Sequence, residues 1–138
     1  MKQEKIFEWF LRISLSAGFL SAVADRFGLW NKEVSAWGNW EAFAKYTNTL
    51  LPFLTYNLAS IIGGIATFLE IVFAIALLTT FKSQLIAKCS GFLLLGFALS
   101  MTIAINCKAP LDYSVFTASA GAFVLSVLVK NNSVKSIA

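Results

Sequence analysis

The chain has no histidine, only two cysteines and little charge, and each shortage closes a set of options. Without histidine, ordinary haem and zinc ligation is not expected. The cysteines, Cys89 and Cys107, fall near opposite ends of one apolar segment. Eighteen residues of helix separate them by roughly 27 Å. A disulfide needs Cα atoms within about 7 Å, so the two do not pair within one chain. There is no C-x-x-C motif, which removes the thiol relay of four-helix disulfide-forming membrane enzymes. Charged residues occupy 13% of the positions, about half the roughly 25% usual in soluble domains. The net charge of +4 comes from cations at the ends of apolar segments. No basic helix face and no basic run with interleaved aromatics is present, so nucleic acid is excluded as a partner.

What remains is apolar sequence in four long stretches, residues 6–24, 58–78, 85–105 and 111–129. A spanning helix needs about 20 mostly apolar residues. Four such stretches in 138 residues leave nothing to form a soluble shell. The expected fold is all-α: an integral membrane four-helix bundle, one domain over residues 1–138. Helices are expected over about 6–26, 58–79, 85–106 and 111–129, followed by a loose polar tail.

The N-terminus mimics a signal peptide, with Lys2 and Lys5 before an apolar stretch and Ala22-Val23-Ala24 as a small-residue site. Glu8 and Arg12 interrupt the would-be apolar core, so the segment reads as a retained first span. It carries two stripes at helical spacing: Glu8, Arg12 and Ser16, and nearly opposite them Ser14, Gly18, Ser21 and Asp25. The small stripe is expected to pack closely against a neighbouring helix.

The one long connection is rich in aromatics. Asn39 is placed to cap a helix and Pro52 to stop it, giving an amphipathic interfacial helix over about 39–51 between the first two spans. Trp40, Phe43, Ala44 and Thr47 share one face, and Glu41, Lys45 and Asn48 the other. Such a helix anchors in the interface or closes a cavity as a lid.

Glu70 stands near the middle of the second span. A carboxyl group at that depth is costly unless it is paired or protonated. Centring both spans in the bilayer brings Arg12 within reach, and arginine grips a carboxylate through two hydrogen bonds. Glu8 is the rival partner, nearer the surface. The Arg12–Glu70 pair is expected to be structural first and also to line a ligand pocket. Ser16, Thr67 and the small faces of the fourth span would complete that pocket, with Trp37 or Trp40 above it. No catalytic residue and no metal ligand is assigned.

Taken together, certain stretches resemble the DoxX family of small bacterial and archaeal four-helix membrane proteins. They are LRISLSAGFLSAVADRFGLW, WGNWEAFAKYTNTLLPFL, FLEIVFAIALL and APLDYSVFTASAGAF, within about residues 11–129. The resemblance implies an accessory or adaptor subunit of a membrane redox complex, without autonomous enzyme activity. No intrinsic cofactor is expected, and a quinone or other isoprenoid lipid would sit between the helices. The alternative is a non-redox binder, transporter or trafficking factor for a small lipophilic molecule; a pure scaffold is the blandest reading. Expected partners are the lipid bilayer, a redox enzyme and further copies of the chain. The expected location is the bacterial or archaeal cytoplasmic (inner) membrane, multi-pass. Lys2, Lys5, Lys82, Lys88, Lys130 and Lys135 would face the cytoplasm with both termini.

Overall fold

The computed structural model describes residues 2–137, and these are helical without strands. The elements are α1 (Lys2–Arg26), α2 (Trp40–Leu50), α3 (Tyr56–Leu77), α4 (Ser83–Ala104), α5 (Lys108–Asp112) and α6 (Val115–Ile137). Among the described residues, α1, α3, α4 and α6 are long and apolar enough to cross a bilayer, which marks a multi-pass membrane protein. They form a four-helix bundle in which α1 packs on α3, α3 on α4, α4 on α6 and α6 back on α1. Each of these neighbours is antiparallel to the next.

The ends of α1 and α2 follow local chemistry. Leu29 N–H donates to Ala24 O and Gly28 N–H to Asp25 O, with Gly28 at φ +70°. This is a Schellman stop, and it makes Arg26 the last helical residue of α1. Asn39 caps α2 by accepting from Ala42 N–H at 2.8 Å, as its position predicts. The helix ends at Leu50, two residues before Pro52.

The other end of the chain needs correction. The tail expected to be loose after Val129 continues α6 to Ile137. Asn132 Nδ2 donates to Glu8 Oε2 at 2.6 Å, and Lys135 Nζ donates to Glu4 at 2.7 Å. Polar residues that bury nothing apolar are held by carboxylates of α1 in register with them. The fourth span starts at Val115 rather than at about 111: residues 111 and 112 belong to the short α5, which holds Pro110 in its first turn, and Ser114 at φ 54° breaks the chain before α6.

The apolar core occupies the half of the bundle that carries the termini. Leu15 and Phe19 meet Ala74, Leu77, Ala87, Ala122, Leu125 and Val129 there. Gly91 lets α4 and α6 close together: a Cβ on it would lie 2.8 Å from the Phe123 ring. Ser119 Oγ then donates to Gly91 O at 2.8 Å. In the opposite half the space between the helices is a cavity of about 1250 Å³, and α2 with the 27–39 connection lies over it.

Candidate functional site

The cavity is built around a buried ion pair at its roof. A helical side chain leans toward its own N-terminus. Arg26, at the C-terminal end of α1, therefore points back into the bundle. Glu70, on the antiparallel α3, leans the other way, and the two meet. Arg26 Nη2 donates to Glu70 Oε1 at 3.1 Å, and Nη1 makes a closer contact with Oε2. Nη1 also donates to Thr67 Oγ1 at 2.7 Å, and Thr67 passes its own hydrogen to Gly63 O. Arg26 is 3% exposed and Glu70 2%. The guanidinium carbon lies 4.1 Å from the ring centre of Phe43 and 5.4 Å from that of Trp37, so the cation is covered by aromatic rings. Arg26 Nε is buried and has no hydrogen-bond partner among the described residues.

Asp25, the preceding residue, holds the roof in place. Its carboxylate accepts from Ala36 N–H at 2.9 Å, from Trp37 N–H at 3.0 Å and from the Ser35 hydroxyl. These bonds fold the connection back so that Trp37 lies against Arg26. Phe43 and Thr47 of α2 reach α3 because Gly63 lacks a side chain. A Cβ there would stand 3.0 Å from Phe43 and 3.3 Å from Thr47 Oγ1. Burial pushes the Tyr46 hydroxyl above its ordinary pKa, and nearby Tyr113 adds to the effect. Below the roof the walls are apolar, with Leu69, Leu93, Leu94, Phe97 and Ala118 among them. The walls also reach the outer surface of the spans: Ile65 and Phe92 line the cavity while remaining 57% and 64% exposed.

No protein family, curated protein or solved structure matches this chain.

The expected Arg12–Glu70 pair is not formed. Arg12 Nε and Nη2 both donate to Glu8 Oε1, at 2.9 and 2.7 Å. Its Nη1 donates to Leu77 O at 2.8 Å and Thr79 O at 2.9 Å, capping the end of α3. The register between the helices explains the difference. Ser16 Oγ donates to Ala74 O at 2.9 Å, so Arg12 stands level with the end of α3. Glu70 is then about 12 Å further along the axis. The two side chains also lean apart along that axis.

The four candidates thus divide. Arg12 and Ser16 belong to the packed end, whereas Glu70 lines the cavity and Thr67 stands behind Arg26. Trp37 lines the cavity; Trp40 stacks on Phe27 and donates to Ser60 Oγ at 3.3 Å, beside the cavity. The small stripe is corrected as well. Ser14, Gly18, Ser21 and Asp25 line the cavity, and a Cβ on Gly18 would meet nothing within 4 Å. Their smallness leaves space there. Arg26 was the residue missed, because a charge at the end of a span reads as a loop charge. A signal was present: Arg12, Ser16, Phe19, Val23 and Arg26 recur at spacings of four and three, and all are buried.

Proposed function

We propose that this protein binds a small lipophilic molecule within the membrane, in the cavity beneath α2. The cavity carries the reading: apolar walls that extend to bilayer-facing surface, under a roof holding one buried ion pair. Ligand sites for small molecules are mostly apolar, measure about 300–1,000 Å³ and carry a few convergent polar groups. At about 1250 Å³ this one has room for a long-chain molecule. Wall residues at Ile65 and Phe92 favour exchange of the ligand sideways with lipid.

The resemblance to DoxX proteins adds a more specific form of the same reading. In it the protein is an accessory subunit of a redox complex in a bacterial or archaeal cytoplasmic membrane, and the ligand is a quinone or another isoprenoid lipid. The carrier reading, a non-redox binder or trafficking factor, draws equally on the lateral edges of the cavity. Native mass spectrometry of the purified protein tests binding and separates the two. A single retained lipid is expected, lost in Gly96→Phe, which fills the cavity from a position with nothing within 4 Å of its Cβ. A quinone supports the redox form and a redox-inert lipid the carrier form. No retained lipid, or retention unchanged by Gly96→Phe, overturns binding in this cavity.

A further inference from the structure

We propose that the ligand is an uncharged amphiphile whose polar end is a hydrogen-bond acceptor oxygen, and that this oxygen takes the Nε–H of Arg26. The inference rests on the binding function argued above and assigns the head group that this cavity selects.

The charges at the roof are Asp25, Arg26 and Glu70, and their bonding is one-sided. Glu70 receives both terminal nitrogens of Arg26. Asp25 receives two backbone N–H groups and a hydroxyl. The carboxylates are therefore supplied with donors, whereas Arg26 retains a buried N–H that meets no acceptor among the described residues. Leaving such a donor unpaired is costly, more so on a charged group. A ligand recovers that cost only by bringing an acceptor. A carboxylate or phosphate head would bring one together with a full negative charge beside Glu70 and Asp25. An ammonium head would bring a positive charge and no acceptor. A ketone or ester carbonyl supplies the acceptor without either penalty.

Nε is shut off from solvent, so the incoming oxygen must displace one of the rings packed on the guanidinium. Phe43 is buried between α2 and α3. Trp37 sits half-buried on the connection and lines the cavity, so it is the ring that yields.

The test uses the full chain in phosphatidylcholine nanodiscs, with empty discs as background. Saturable binding is measured for four tritiated probes of equal chain length: 2-tetradecanone, tetradecane, tetradecanoate and tetradecyltrimethylammonium. The ketone is expected to bind roughly tenfold or more tightly than tetradecane, and more tightly than either ion. Arg26→Lys keeps a cation opposite Glu70 but lacks the Nε–H, and it should bring the ketone-to-tetradecane ratio to about one. Trp37→Ala, which clears the path to Nε, should raise that ratio. Equal binding of ketone and tetradecane to the wild type, tightest binding of either ion, or a preference that survives Arg26→Lys overturns the head-group assignment alone. The absence of saturable binding by any probe overturns both the assignment and the binding function.

Discussion

Each buried arginine solves a different problem. Arg12 satisfies carbonyls that the end of α3 leaves open, with Glu8 balancing its charge. Arg26 neutralises Glu70. Removing one partner of a buried pair leaves an uncompensated charge and costs about 3–5 kcal/mol. Arg26→Gln and Glu70→Gln should each destabilise the protein by about that much, measured as unfolding in mixed micelles. The double change should recover part of the loss. Arg12→Gln and Glu70→Gln should add to within about 0.5 kcal/mol, as separated sites do. Coupling between Arg12 and Glu70 above that level would overturn the pairing described here. The need for a cation near Glu70 was legible in the sequence, because an isolated carboxylate at that depth is untenable. Its identity was not, since two helices can slide by a turn without changing either one's composition. The bond from Ser16 to Ala74 O sets the register, and no pattern within a single helix encodes it.

At the level of elements, the spans and the α2 cap could be read directly, because apolar length, Asn39 and Pro52 act locally. The helical tail of α6 could not, because Glu4 and Glu8, which hold it, lie at the other end of the chain. Small residues gave the same signal for opposite purposes. Gly63 admits Phe43, whereas Gly18 faces open space. The two should therefore respond oppositely to substitution. Gly63→Val should cost about 1–3 kcal/mol through overpacking, and amides of α2 should lose protection from hydrogen exchange. Gly18→Ala should gain about 0.5–1 kcal/mol, because alanine restricts the unfolded chain and meets no obstacle in the fold. Loss of stability at Gly18 would mean that a neighbour packs there after all.

Across the whole molecule, the lysines divide unevenly between the two ends of the bundle. Lys2, Lys5, Lys82, Lys88, Lys130 and Lys135 gather at or near the end with the termini. Lys32, Lys45 and Lys108 lie at the other, where Arg26 no longer counts because it is buried. This bias favours both termini inside. A reporter active only in the cytoplasm, fused to the C-terminus, should give signal; activity only from a periplasmic reporter would reverse the orientation. The same long axis separates the apolar core from the cavity, so apart from Leu15 and Phe19, where the two meet, the buried residues of that core do not line the cavity, and the Arg26–Glu70 pair is the part of its lining that also secures the fold. Selection can then act on the two sets independently. In a saturation mutagenesis experiment scored for folded protein at the membrane, Leu77, Leu125 and Gly91 should tolerate almost nothing. Gly96, Phe97 and Ser100 should accept a wide range of side chains. On the binding reading, a lineage carrying this bundle could change what the cavity admits by repainting its walls, leaving the foundation that holds the helices together untouched.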